Sequence, residues 1–95
     1  MHMAEYDWAL TDENRARIER LVLTERRLPD FGVTPDRVST LDGCKVYLPD
    51  GWIIVRFSGT EPRVRVFAER PTEEGARALV RTMAEFLGLP LKKGL

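Results

Sequence analysis

The chain has 95 residues, 43% of them hydrophobic and 32% charged, with fifteen basic residues balancing fifteen acidic ones. That length suits one small domain, which buries roughly two-thirds of its unfolded surface, and leaves no room for a second folded unit. A net charge of zero excludes long-range attraction to nucleic acid or anionic lipid, so any anion site must be built locally.

The single cysteine, Cys44, rules out an intrachain disulfide and fits a reducing cytoplasm. No apolar run approaches the ~20 residues of a membrane span, and no signal-peptide pattern is visible. Met1-His2-Met3 resembles a cloning scar, which makes His2 uninformative, and residues 1–10 are taken as scar and lead-in. The folded domain is expected over 11–88, with 89–95 as a tail.

Thr11 is placed to cap a first helix, with Asp12 and Glu13 in its first turn, where acids suit the helix dipole. Ala16, Ile18, Leu21, Val22 and Leu28 follow at spacings that form one apolar stripe, and Pro29 is expected to end the helix. Strand-like runs come next, at Val38 to Leu41, Cys44 to Leu48, Trp52 to Ser58 and Arg63 to Glu69. Asp42-Gly43 and Pro49-Asp50-Gly51 separate the first three, and Asp-Gly between apolar runs is a hairpin signal. Thr72 caps the last helix, whose Ala76, Leu79, Val80, Met83, Ala84 and Leu87 keep helical spacing on one face. Gly88 and Pro90 stop it. The pattern predicts an α+β domain, with an antiparallel sheet of about four strands between two helices.

The chemistry concentrates in Arg56-Phe57-Ser58-Gly59-Thr60-Glu61-Pro62, between two strands. Alternation places Arg56 and Ser58 on one face and Ile53, Val55 and Phe57 on the other. Gly59 permits backbone angles closed to other residues, and successive amides in such a turn form a concavity for an anion. Ser58 and Thr60 offer hydroxyl donors, and Arg56 a planar fork matching two phosphate oxygens. On the following strand Arg63, Arg65, Phe67 and Glu69 share a face, so Arg65 can return beside the loop as a second guanidinium. Taken alone, these residues fit either a phosphate-binding loop or a plain turn flanked by solvated arginines.

A longer pattern resolves that choice. Asp42-Gly43-Cys44-Lys45-Val46, Asp50-Gly51-Trp52, the Arg56 to Pro62 string, Arg65-Val66 and Glu69 together resemble the C-terminal (fourth) domain of the α-D-phosphohexomutases. The likeness is greatest to their phosphoglucomutase/phosphomannomutase branch and extends over residues 11–88. It implies a TATA-binding-protein-like sheet with both helices on one face. It further implies a substrate phosphate site at Arg56, Ser58, Gly59, Thr60 and Arg65, with Glu61 and Pro62 shaping the loop. In such an enzyme, which interconverts hexose 1- and 6-phosphates, this domain would clamp the phosphate that is not being transferred, while the bisphosphate intermediate reorients between two transfers.

The same resemblance marks what the chain lacks. The family's phosphoserine lies in a Ser-His-Asn context and its metal loop is Asp-Gly-Asp; neither string occurs here. The phosphoserine and magnesium are therefore expected in three other domains of a parent enzyme, with no catalytic or metal residue in this fragment. Asp42 and Asp50 are read as turn residues. Cys44 alternates with Val46 and Leu48, as a buried thiol does. Trp52, Ile54 and Phe67 fall on the arginine face, where they would meet neighbouring domains or a local cover. The alternative function is a free-standing phosphate or nucleotide sensor on the same fold. A nucleic-acid partner is disfavoured by the neutral charge and the lack of a basic stripe, and no membrane partner is expected.

Overall fold

Two-residue alternation fixes which way each strand faces, and the apolar set is consistent enough to build one core. In the computed structural model, which describes all residues from Met1 to Leu95, β1 (His2–Ala9), β2 (Arg37–Ser39), β3 (Cys44–Leu48), β4 (Gly51–Phe57) and β5 (Arg63–Arg70) form one sheet. The strand order is β1-β5-β4-β3-β2, with every neighbouring pair antiparallel. Cys44, Val46 and Leu48, Ile53 and Val55, and Val64, Val66 and Ala68 all point inward and are buried. They meet α2 (Glu73–Leu87) through Ala76, Leu79, Val80, Met83, Ala84 and Leu87, and α1 (Asp12–Glu19) through Ile18. The helices therefore share one face of the sheet, and no polar or charged residue is buried beneath them.

Both helices start as expected. The Thr11 hydroxyl accepts from the Asn14 amide and the Thr72 hydroxyl from the Gly75 amide, each at 3.0 Å, satisfying amides that lack an intrahelical partner. Gly88 ends α2 in the left-handed conformation (φ 73°). Arg17 of α1 donates to the Leu87 carbonyl at 2.9 Å, tying the two helices together. No helix is long and apolar enough to cross a membrane.

Three expectations need correction. The sheet has five strands, because residues assigned to a scar and lead-in form β1, paired with β5 from His2–Arg70 to Ala9–Arg63. Ala4 and Trp8 of β1 belong to the core, and the Trp8 indole donates to the Pro90 carbonyl at 2.8 Å. The 89–95 tail thus packs against the strand, with Leu89 also buried. Next, the first helix stops short of Pro29. It widens into a π-helical turn at Arg20–Thr24 and closes at Arg26, whose φ is 53°. The Glu25 and Arg27 amides then take the Arg20 and Leu21 carbonyls, at 2.8 and 2.9 Å, so the open carbonyls are satisfied before the proline acts. Finally, β2 spans Arg37–Ser39 and Leu41 lies almost fully exposed in the following turn.

Candidate phosphate site

The sheet face opposite the helices is uncovered, and its register arranges the polar residues. Arg56 on β4 pairs directly with Arg65 on β5, which in turn pairs with Asp7 on β1. The next row toward the other end sets Lys45, Ile54, Phe67 and Glu5 side by side. Beyond it, Tyr47 lies beside Trp52. Arg37 stacks over Tyr47 at 4.3 Å, and the Lys45 ammonium sits 4.9 Å from the Tyr47 ring and 4.6 Å from Trp52. Trp52, Ile54 and Phe67 are only half-buried, as their alternation with the core residues requires.

At the arginine end the loop from Ser58 to Pro62 turns back over the sheet. The Ser58 amide donates to the Arg63 carbonyl at 3.0 Å, and the Ser58 hydroxyl accepts from the Thr60 and Glu61 amides at 3.3 and 3.2 Å. Its oxygen is also 3.5 Å from the Thr60 hydroxyl. The base of the loop is anchored from outside. Leu10 donates to the Pro62 carbonyl at 2.6 Å, and Arg15 of α1 to the Glu61 carbonyl at 2.8 Å. Glu61 and Pro62 thus hold the loop through their carbonyls.

Gly59 differs from the sequence reading. Its φ lies outside the left-handed region, and an added Cβ would meet nothing within 4 Å. Backbone freedom is therefore not what the fold requires there; the missing side chain leaves open space above the loop. The demanding glycine is Gly43, with φ 74° and no room for a Cβ, which would collide with the Val55 carbonyl oxygen. That close approach seats the β2–β3 turn on β4 immediately beside Arg56.

These elements enclose an open cleft of about 730 Å³. It is lined by Phe57, Ser58 and Gly59, by Arg56, Arg63 and Arg65, and by Asp7, Asp42 and Glu61. Of the residues expected to bind phosphate, Arg56, Ser58, Gly59 and Arg65 line this cleft. Thr60 is adjacent, joined through Ser58. Sequence reasoning missed Asp7, Asp42 and Arg63 as lining residues. Arg63 was detectable, since it shares a strand face with Arg65. Asp7 lay in the supposed lead-in, and only the seating of the Gly43 turn puts Asp42 beside Arg56.

The ion pairs are unequal. Arg56 Nη2 lies 3.0 Å from Asp42. Arg63 pairs with Asp7 and lies 3.8 Å from Glu61. Lys92 also approaches Asp7, at 3.8 Å. Arg65 makes no ion pair and is exposed, so its donors face the cleft uncommitted. The three carboxylates of the cleft each have a guanidinium neighbour, a donor set that does not fit magnesium, because fixed cations oppose a second one. Cys44 faces the core, and its burial pushes the thiol pKa up, against a smaller opposing effect of Arg26. That is the reverse of what a thiolate nucleophile needs.

Comparison with known proteins shows that this is a phosphohexomutase-type domain. A family model described as the phosphoglucomutase/phosphomannomutase C-terminal domain matches residues 10–86. The chain belongs to that family. It is similar to a probable phosphoglucosamine mutase of Methanopyrus kandleri, with 44% identity over 68 residues, covering 72% of this chain and 14% of the relative. A phosphoglucomutase/phosphomannomutase of Thermococcus kodakarensis is 43% identical over 56 residues, covering 59% and 12%. A phosphopentomutase of the same organism is 42% identical over 66 residues, covering 66% and 14%. The chain thus spans about one-seventh of the length of these relatives.

Proposed function

We propose that this domain holds the non-transferring phosphate of a sugar phosphate within a multidomain mutase. The observation that supports it most is the direct pairing of Arg56 with Arg65 on an uncovered sheet face, with Arg65 unpaired and the Ser58–Thr60 loop beside them. Arginines on two adjacent strands can both reach one phosphate dianion, which would accept their donors and balance their charge. Its oxygens would replace the Ser58 hydroxyl on the Thr60 and Glu61 amides. Phosphoryl transfer depends largely on positioning and charge neutralisation, and this cleft supplies both for the spectator phosphate.

The phosphoryl donor serine and the magnesium site belong, in this proposal, to other domains of the parent. The chain alone should therefore leave a coupled mutase assay at the blank. Its phosphate affinity is modest. Two or three charge-assisted bonds contribute ~1.5–3 kcal/mol each, association costs ~4 kcal/mol or more, and the dissociation constant falls on the order of millimolar. The test is an amide NMR titration of the chain with orthophosphate. Ser58, Gly59 and Thr60 should move first; shifts confined to the α2 surface would overturn the assignment.

A further inference from the structure

Asp42 stands out among the cleft residues because it occupies one of the two guanidiniums assigned to phosphate. Its carboxylate is 3.0 Å from Arg56 Nη2, and Arg56 has no other ion-pair partner. The Arg56 and Asp42 side chains remain 54% and 66% exposed, so the pair is weak and exchangeable. Its geometry is nevertheless fixed from one side. Gly43, the next residue, is seated against the Val55 carbonyl and the Arg56 Cα with no room for a Cβ. The turn that carries Asp42 cannot withdraw without losing that contact, whereas the Arg56 side chain can rotate.

We propose that Asp42 is a tethered counterion that competes with phosphate for Arg56 and sets the strength of the grip. The proposal rests on the phosphate-holding role given above. An arriving anion meets Arg65 first, since that guanidinium is free. Arg56 then turns from Asp42 toward the shared anion, and the pair with Asp42 opens. On departure the carboxylate takes Arg56 back. Nothing covalent changes; one ion pair is exchanged for another. The carboxylate remains close to the bound dianion, and their repulsion persists in the bound state. A competitor of this kind keeps binding weak and release fast. It also penalises monoanions most, because they offer Arg56 no more charge than Asp42 already does.

The experiment titrates the chain with orthophosphate at pH 8 and low ionic strength, following the loop amides and the Asp42 carboxyl carbon. Asp42→Ser is the principal variant, because asparagine before Gly43 deamidates back to aspartate; Asp42→Ala is the second. In the unsubstituted chain the Asp42 carboxyl signal should move with the same midpoint as the Ser58 to Thr60 amides. Both variants should bind phosphate about 3- to 10-fold more tightly, the scale expected for removing one nearby charge in a hydrated cleft. Unchanged or weaker binding in the variants, with normal binding in the unsubstituted chain, would show that Asp42 positions Arg56 or merely shapes the turn, and would overturn the proposal alone. No loop shift in any of the proteins would overturn the phosphate site itself, and this inference with it.

Discussion

Arg56 and Arg65 stand opposite one another on β4 and β5, two like charges in one cross-strand pair. Like charges in that position destabilise a sheet, whereas favourable pairs contribute ~0.2–1 kcal/mol. In the proposed role a bound phosphate would offset that cost. Replacing Arg65 by glutamine keeps much of the side chain and removes the repulsion. The Arg65→Gln variant should melt a few degrees higher, given about 4–8 °C per kcal/mol for a domain of this size. The rise in melting temperature that phosphate gives the unsubstituted chain should vanish. A variant that melts lower and still responds to phosphate would assign Arg65 to the fold instead.

Charge alone does not explain Arg56. A guanidinium presents a planar pair of donors to two oxygens, and an ammonium presents a point charge. In a full-length mutase carrying this domain, Arg56→Lys should lower kcat/KM by ~10-fold or more, a loss of at least ~1.4 kcal/mol of transition-state stabilisation. Unchanged kinetics would limit Arg56 to its pair with Asp42.

The edge strand has a measurable share in stability. Trp8 is 3% exposed and closes the core beneath the Pro90 carbonyl. Trp8→Ala removes both the packing and the indole donor, and comparable truncations cost ~3–5 kcal/mol. Since small domains are stable by only ~5–15 kcal/mol, the denaturant midpoint should fall steeply. A midpoint close to that of the unsubstituted chain would mean that β1 is dispensable.

The strands that bear the loop were legible in the sequence because their inward residues are unambiguous. Val64, Val66 and Ala68 alternate with Arg63, Arg65 and Phe67, and each set takes one face. α2 was legible for the same reason, with Thr72 and Gly88 marking its ends. β1 was obscured because its inward set, Ala4, Tyr6 and Trp8, is short and follows Met-His-Met. The early end of α1 depends on Arg26 adopting a left-handed conformation (φ 53°), which no local residue preference signals. The cleft divides similarly. Arg56, Ser58, Gly59 and Arg65 followed from motif and alternation, whereas Asp42 and Asp7 reach it through pairings distant in sequence.

Cys44 gives a pH test of the core. Burial raises its pKa, so the folded protein holds the thiol neutral where the unfolded chain, with an ordinary value near ~8.5, begins to ionise. Above that point the unfolded state binds fewer protons, and stability falls as pH rises until the folded thiol itself titrates. Below it the stabilisation is fully present. The loss cannot exceed about 1.4 kcal/mol per pH unit. Chemical denaturation from pH 7 to 10 should show this decline in the unsubstituted chain, and less of it in Cys44→Val. The folded thiol should also resist iodoacetamide until the protein unfolds. Parallel profiles for the two proteins would mean that the thiol reaches solvent.

The last expectation concerns what the cleft does not recognise. Its donors are guanidiniums, hydroxyls and backbone amides, and the one aromatic residue that lines it is Phe57. In the proposed role these donors address phosphate oxygens, and the three carboxylates of the cleft are each held by a guanidinium rather than turned to a sugar hydroxyl. In the proposed role the loop meets either phosphate of a reorienting intermediate, so a contact specific for sugar shape would favour one orientation and penalise the other. The chain should therefore bind glucose 1-phosphate, glucose 6-phosphate and mannose 1-phosphate with similar affinity, and plain glucose not measurably. One NMR titration series with all four ligands at equal ionic strength decides the matter. If the esters differ by more than ~10-fold, about 1.4 kcal/mol, the domain reads the sugar as well. If glucose shifts the loop amides as its phosphates do, phosphate is not what the loop holds.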